Sequence, residues 1–276
     1  MAYQPIITLT TDFGTNDHFV GTMKGVILGI VPEAQIVDIS HAVQAFDVLD
    51  GALTISQAYS YFPTGTVHVV VVDPGVGAAR RPIIASSDGF HFVAPDNGVL
   101  SMVYAKEERI HVRHITSEHY FVQPVSNTFH ARDIFAPVAA YLAKQVDSHK
   151  FGEEIEDYAK FSVPKFKAMD KTHIRGVVLK VDRFGNLITN ITPLDTPMIF
   201  KEKPAKFKIT VGSREITSIV NSYAEGTPNE VFGILNSMGF LEIAANRAAA
   251  AQLAGAAKGA EVIVAIGEAA AAGKGA

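Results

Sequence analysis

The sequence predicts an α/β protein in which an N-terminal, mostly parallel sheet flanked by helices is followed by a smaller, mainly antiparallel β domain. Three observations carry this. The first half alternates apolar, β-branched runs with segments of helical period. Its third run, Val67-His68-Val69-Val70-Val71-Val72, is apolar almost throughout, as a strand covered on both faces must be. Beyond residue 171 the texture changes to short alternating strands. The charged, poorly periodic stretch 145–171 marks the change and places an α/β domain at 1–165 and a β domain at 172–276.

Taken in order, Ile6-Ile7-Thr8-Leu9-Thr10 is β-branched and stops at Asp12-Phe13-Gly14, after which Phe19, Met23, Val26, Ile27 and Ile30 follow at helical spacing. Gln35-Ile36-Val37-Asp38-Ile39 is the second strand. A helix capped near Asp47 carries Val48, Ala52, Ile55 and Tyr59 on its apolar face and is stopped by Pro63. The third strand ends in Asp73-Pro74-Gly75-Val76-Gly77. Ile83-Ile84-Ala85-Ser86 and Phe90-His91-Phe92-Val93, joined by Ser87-Asp88-Gly89, predict a hairpin and hence some antiparallel pairing within the sheet. A helix is expected over 133–142. In the second part strands are expected at 174–181, 187–191, 205–211, 215–220, 231–235, 240–244 and 261–265, with one short helix over 247–253. The Ala/Gly-rich tail at 268–276 is expected to fray.

A chain of 276 residues, 48% hydrophobic and 19% charged, can bury a sizeable core, which excludes disorder, collagen and coiled coil. The net charge of −4, from 24 Lys+Arg against 28 Asp+Glu, comes without any Lys/Arg-rich run. The electrostatic footprint of a nucleic-acid binder is therefore missing, and small-molecule chemistry becomes the default. The absence of cysteine excludes disulfides, thiol nucleophiles and iron–sulfur clusters, so any metal would need His, Asp or Glu. Met1-Ala2-Tyr3-Gln4-Pro5 enters the first strand without the basic stretch and apolar core of a secretory signal, and no apolar run reaches the length of a membrane span. The expectation is a cytoplasmic protein with no membrane partner.

In parallel α/β sheets ligands sit beyond the carboxyl ends of the strands. Four loops qualify: the one at Asp12, residues 73–80, Asp96-Asn97-Gly98, and Thr128-Phe129-His130-Ala131-Arg132-Asp133. Asp17, Asp47 and Asp133 also suit a turn or helix cap. Gly75-Val76-Gly77-Ala78-Ala79-Arg80 lacks the third glycine of a dinucleotide fingerprint, and Pro82 interrupts the helix a phosphate would need. Neither a Gly-Lys-Ser/Thr phosphate loop nor His-Glu-x-x-His is present. Asp12, Asp17, His18, Asp73, His91, Asp96, His130 and Asp133 supply oxygen and nitrogen donors, which keeps a metallohydrolase open. Asp73 and Arg80 flank a tight glycine-rich loop that can fold them together, with His130 arriving from another loop. Acid, guanidinium and imidazole would then converge; an ordinary Asp–Arg loop bridge beside a helix-capping His is the plainer alternative.

Seven motifs occur in a fixed order: Thr10-Thr11-Asp12-Phe13-Gly14-Thr15-Asn16-Asp17, Val37-Asp38-Ile39-Ser40-His41, Val72-Asp73-Pro74-Gly75-Val76-Gly77, Ala94-Pro95-Asp96-Asn97-Gly98, Thr128-Phe129-His130-Ala131-Arg132-Asp133, Asp182-Arg183-Phe184-Gly185-Asn186 and Leu235-Asn236-Ser237-Met238-Gly239. Together they resemble the adenosine-forming S-adenosylmethionine hydrolases, or hydroxide adenosyltransferases, relatives of the S-adenosylmethionine-dependent fluorinating and chlorinating enzymes. The resemblance covers nearly the whole chain. It implies that Asp73, Arg80 and His130 position and activate water. The halogenating relatives carry a tyrosine at the position of Asp73, so the chain resembles the hydrolytic branch. It further implies that Asp12 binds the ribose, that Asp17 at the close of the first motif is a substrate contact, and that Phe46 and Phe129 form an aromatic wall. Asp182 is expected at the methionine, Asn186 at the adenine, and Tyr223 stacked on the adenine. Ser237, Glu242 and Ala245 lie in the adenosine- and methionine-facing stretch. Ala131 stands beside the reacting carbon, and Met238 stands where halogenating relatives hold the methionine carboxylate with an arginine. The resemblance implies a homotrimer whose sites lie between the N-terminal domain of one subunit and the C-terminal domain of another, with no cofactor and no metal.

These residue types suit displacement at the ribose C5′ of a sulfonium. Bulk water, with a pKa of about 15.7, supplies almost no hydroxide at neutral pH, so a fixed cation such as Arg80 would stabilise charge developing on oxygen. A carboxylate beside a guanidinium is a weak base, which leaves Asp73 to orient the water and His130 to accept its proton. One ionised carboxylate accepts both donors of a ribose diol, which suits Asp12. A halogenase-type adenosyltransferase and a non-catalytic adenosine- or S-adenosylmethionine-binding protein are the alternatives.

Overall fold

The computed structural model describes residues 4–162, 164–201 and 203–267; the tail at 268–276 lies outside the described residues. The chain divides into two compact units between Phe161 and Ser162.

The first unit runs β1 (Ile6–Thr11), α1 (Phe19–Ile30), β2 (Gln35–Ser40), α2 (Val48–Ala58), β3 (Val67–Val71), β4 (Pro82–Ser86), β5 (His91–Pro95), α3 (Ser101–Tyr104), β6 (His111–His114) and α4 (Ala136–Ala143). Its sheet has the order β2-β1-β3-β5-β4-β6, in which β2, β1, β3 and β5 are parallel and β4 is antiparallel to both neighbours. The two-residue period of the strands divides the core. Ile7, Leu9, Val67, Val69 and Val71 pack with α1 and α4 on one face, while Val70, Val72, Ile83 and Ala85 pack with Ile55, Tyr59 and Val103 on the other. The expected hairpin is β4–β5, with Ser86 opposite His91. Strand β6 was not legible: His111-Val112-Arg113-His114 alternates poorly, and it becomes a strand by pairing with β4, where Ile83 faces His114.

Of the three aspartates suited to capping, only Asp47 caps, accepting a hydrogen bond from the Asp50 amide at 3.1 Å. Helix α1 begins after His18, whose side chain makes no cap bond, and Asp17 stands exposed before it. Asp133 lies fully buried inside its helical segment. That segment opens with a wide π-turn, Ala131–Phe135, before α4, so it starts two residues earlier than the periodicity predicts.

The second unit contains β7 (Lys167–Ala168), β8 (His173–Val181), β9 (Leu187–Thr189), β10 (Phe207–Val211), β11 (Arg214–Ile216), β12 (Ile219–Val220), β13 (Val231–Leu235), β14 (Leu241–Ala245), α5 (Ala250–Ala254) and β15 (Glu261–Ile266). Its sheet has the order β11-β10-β15-β8-β9-β14-β13-β12, with β7 also on β8, and every pair but β12–β13 is antiparallel. The long β8 joins its halves: residues 173–177 pair with β15 and residues 178–181 with β9 across a register shift. The single strand expected over 215–220 is two, because the chain changes partner there: Ile216 pairs on β10 and Ile219 on β13. The helix expected over 247–253 is displaced to α5. Among the described residues no helix is long and apolar enough to cross a membrane.

Phe92 is fully buried at the centre of the first sheet, packed on Tyr59 and His68. Phe92→Ala is expected to lower the stability of the first unit by about 3–5 kcal/mol, read as a drop in urea midpoint at unchanged slope.

Candidate active site

The parallel strand order reverses direction of growth at β1 and β3, which pair with Thr11 opposite Val71. This is the switch point where α/β sheets bind ligands, and the loops that leave both strands carry aspartates, Asp12 and Asp73. After β3 two successive turns, Val76 N–H to Asp73 O at 3.3 Å and Ala78 N–H to Gly75 O at 3.0 Å, fold the chain back on itself. Arg80 thereby returns to Asp73. Its Nε lies 3.1 and 2.9 Å from the two carboxylate oxygens, and its Nη2 donates to Oδ2 at 2.5 Å. Both side chains are nearly buried, 8% and 5% exposed.

The same Nη2 lies 2.7 Å from Nδ1 of His130, so the three residues singled out from the sequence do converge. A guanidinium can only donate, so Nδ1 is the acceptor and the neutral ring carries its proton on Nε2. Burial, and then the positive charge of Arg80, hold the pKa of His130 below its ordinary value, against smaller opposite effects of Asp73 and Asp133. Arg80 Nη1 is buried and has no partner among the described residues. An unsatisfied buried donor costs about 1–3 kcal/mol.

Several residues hold this array. Gly77 sits at φ +77°, and a Cβ there would stand 2.2 Å from the backbone oxygen of Asn127, so only glycine lets the loop lie against the chain leading to His130. Asn97 donates to Val72 O at 2.8 Å, and Asp96 binds Arg81 through Nε and Nη2 at 2.9 and 2.7 Å. Asp133 accepts from the Ser126 amide at 2.8 Å and pairs with Arg132, pinning the loop that precedes His130. The Asp96-Asn97-Gly98 motif and Asp133 are thus scaffold. Among the described residues the eight His and Asp side chains that kept a metal site open do not gather into a metal-binding group.

A cleft of about 150 Å³ is lined by Asp73, Phe129, His130 and Ala131, together with Phe13, Phe19, Val71, Val76 and Thr128. Phe129 packs edge-on against Phe13 and Phe19. Phe13 was legible only as part of a motif and Phe19 only as a core position; the apolar wall they form depends on the fold. Asp12 accepts the Phe46 amide at 2.8 Å, with Phe46 at φ +65° and its side chain 75% exposed.

In the second unit a larger cleft of about 630 Å³ is lined by Asp182, Asn186, Tyr223 and Ala245, and also by Phe184, Arg247, Ala248 and Ala249. Asp182 Oδ1 accepts the amides of Phe184 and Asn186, both at 2.8 Å, and Oδ2 accepts the Asn186 side chain at 2.9 Å. Glu242 lies buried behind Tyr223, whose hydroxyl donates to it at 2.9 Å, and Asn236 donates to its other oxygen at 3.1 Å. Burial raises the pKa of Glu242 and pushes that of Tyr223 up to about 12. Asp17 and Ser237 are exposed and line neither cleft. Arg247, at φ +55°, reads in the sequence as the first residue of the helix expected over 247–253; it lies before α5 and lines the cleft instead.

Residues 7–152 match the SAM hydroxide adenosyltransferase N-terminal domain and residues 176–263 the SAM hydroxide adenosyltransferase C-terminal domain. The chain belongs to the SAM hydroxide adenosyltransferase family. A protein of Methanocaldococcus jannaschii named (R)-S-adenosyl-L-methionine hydrolase is 40% identical, over 86% of this chain and 87% of its own. One of the same name from Salinispora tropica is 34% identical over 92% and 95%. Proteins named fluorinase are more distant relatives. The crystal structure of an uncharacterized conserved protein from Thermotoga maritima matches with a TM-score of 0.86 at 34% identity, covering 94% of this chain and 99% of that one. The names of the relatives support an enzyme of the hydrolase type.

Protonation of His130 at Nδ1 would set it against Arg80. Because its pKa lies below the ordinary 6.5, the array is intact at neutral pH and breaks on acidification. Activity is expected to hold level down through pH 6.5 and to fall along a limb of unit slope below it, measured as log kcat/KM against pH.

Proposed function

We propose that this protein hydrolyses S-adenosyl-L-methionine to adenosine and L-methionine. Water attacks the ribose C5′, the C5′–O bond forms as the C5′–S bond breaks, and sulfur keeps the electron pair as methionine leaves. The observation that carries this reading is the Asp73–Arg80–His130 array, whose Asp73 and His130 line the smaller cleft, in a chain whose relatives are named for this hydrolysis.

The tautomer of His130 revises the division of labour expected from residue types alone. With Nδ1 engaged by Arg80, His130 presents Nε2–H and orients the water as a donor. Asp73 is the remaining acceptor and takes the proton as the C–O bond forms. A weak base suffices because a sulfonium is a good leaving group, and alignment in such a cleft lowers a barrier by roughly 7–11 kcal/mol in favourable cases. Asp12 would bind the ribose diol, with Phe129 and Phe46 as aromatic wall. Asn186 and Tyr223 would hold the adenine, with Asp182 and Ala245 beside the methionine.

Each unit carries part of these contacts, and we propose that the chain assembles as a homotrimer that completes the sites between subunits. The exposed Phe46 and Phe184, 75% and 77% accessible, are the kind of apolar surface such assembly would cover. Light scattering is expected to give three times the chain mass of 29.6 kDa; a monomer would exclude this arrangement. The proposed location is the cytoplasm, where S-adenosylmethionine is made and used.

Incubation with each sulfonium epimer of S-adenosylmethionine, followed by chromatography, is expected to yield adenosine without dependence on chelator or halide. The names of the relatives specify the R epimer. Arg80→Lys, which keeps the charge but loses the fork, is expected to lower kcat by roughly 10² or more; full turnover in that variant would remove the array from the mechanism.

A further inference from the structure

The motif Val37-Asp38-Ile39-Ser40-His41 lines neither cleft and takes no part in the chemistry above. It nevertheless belongs to a line of polar contacts that runs from the surface to the loop after β1, hydrogen-bonded at both ends and joined by an ion-pair contact in the middle. Lys24 Nζ donates to Asp38 Oδ2 at 2.6 Å. His41 Nε2 lies 3.1 Å from Asp38 Oδ1. Nδ1 of the same ring lies 2.8 Å from the hydroxyl of the fully buried Thr11. That hydroxyl in turn accepts the Phe13 amide at 3.3 Å.

The backbone closes the same clamp. The Gly14 amide donates to His41 O at 2.8 Å and the Val43 amide to Thr11 O at 3.4 Å. Residues 11–14 are therefore tied to residues 41–43 by both side chain and main chain. Within that tie sit Asp12, whose Oδ2 is on the Phe46 amide, and Phe13, which lines the smaller cleft.

We propose that His41 is a positioning residue for substrate binding, holding Asp12 and Phe13 in place through the Lys24–Asp38–His41–Thr11 chain. The proposal rests on the reading of Asp12 as the ribose contact and extends it to residues that touch no substrate. The direction of each bond follows from chemistry. Nε2 of His41 stands within ion-pair distance of Asp38 without hydrogen-bond geometry, and since a carboxylate only accepts, the proton of the neutral ring belongs on Nε2, facing Asp38. Nδ1 is then free to take the hydrogen bond of the Thr11 hydroxyl, and the hydroxyl oxygen is left to receive the Phe13 amide. Burial works against the charge of Asp38, but the bonds from Lys24 and His41 outweigh it and hold the carboxyl below its ordinary range, so the outer end of the chain stays ionised at neutral pH. A binding carboxylate whose loop is fixed in this way spends no binding energy on being ordered, and a displacement of about 1 Å is enough to cost orders of magnitude.

The test compares Asp38→Asn, Thr11→Val, His41→Phe and His41→Asn with the unmodified protein. Asp38→Asn and Thr11→Val keep side-chain shape; the first alters the contacts to Lys24 and His41, and the second removes those to His41 and the Phe13 amide. His41→Phe removes both ring nitrogens, and His41→Asn returns one amide within reach of Thr11. Expected is a rise of about tenfold in the KM for S-adenosylmethionine and in the Kd for adenosine by calorimetry for His41→Phe and Thr11→Val, with kcat changed by less than about threefold and with partial recovery in His41→Asn. Amide hydrogen exchange at Phe13 and Gly14 should quicken in the same variants. If folded Thr11→Val and Asp38→Asn bind adenosine and exchange as the unmodified protein does, the proposal is overturned, whether or not His41→Phe folds. Equal losses in kcat and thermal stability with KM unmoved would reduce His41 to a structural residue and overturn it too. If the unmodified protein neither binds adenosine nor hydrolyses S-adenosylmethionine, the functional reading fails separately, and the exchange rates alone decide whether His41 holds the loop.

Discussion

The guanidinium of Arg80 is the constraint on which the candidate site depends. One planar fork meets both oxygens of Asp73 and Nδ1 of His130, so two loops from different parts of the first unit are set by the geometry of a single rigid group. Because the pair is nearly buried, taking away either partner would leave an uncompensated charge, a loss that typically exceeds what the intact pair contributes. The surrounding scaffold is arranged around that requirement. Gly77 permits the close pass beside Asn127, Asn97 holds the end of β3, and the neighbouring Arg81 is tied back by Asp96 and Asp157 so that it does not compete for Asp73.

The charge balance of the array has its own logic. Asp73 and Arg80 cancel, and a neutral His130 adds nothing, so a cationic sulfonium would meet no net repulsion at this wall. A doubly protonated imidazole would add a positive charge where the substrate already carries one. Burial and Arg80 both push His130 the useful way, toward the neutral form. In the second unit Asp182 and Arg247 both line the cleft, with buried Glu242 behind Tyr223.

Much of this was legible in the sequence. Strand β3 announces itself because it is covered on both faces and reads as an almost unbroken apolar run, and the β4–β5 hairpin because Ser87-Asp88-Gly89 sits between two apolar runs. The approach of Asp73 and Arg80 was legible because a short glycine-rich loop limits how far its ends can separate, whereas spacing left the arrival of His130 open and only the family resemblance pointed to it. What did not show were features decided by long-range pairing or by single atoms. Strand β6 forms through pairing with β4 on one side and a bridge to Glu154 on the other, and the 215–220 segment splits because its two ends pair with different strands. The tautomer of His130 follows from one contact across fifty residues, and the aspartates of similar appearance took separate parts: Asp47 caps a helix, Asp133 pins a loop, and Asp17 does neither.

The π-turn at Ala131–Phe135 follows directly on His130 and starts the chain on its way into α4. Such a turn holds one more residue than the α-helical path, and each residue of a helix advances the side chains by about 100° around the axis. The presentation of the imidazole to Arg80 is thus tied to this extra residue as well as to the side chains of the array. In this chain, then, the count of residues at the start of that helix bears on the array just as the identities of its side chains do.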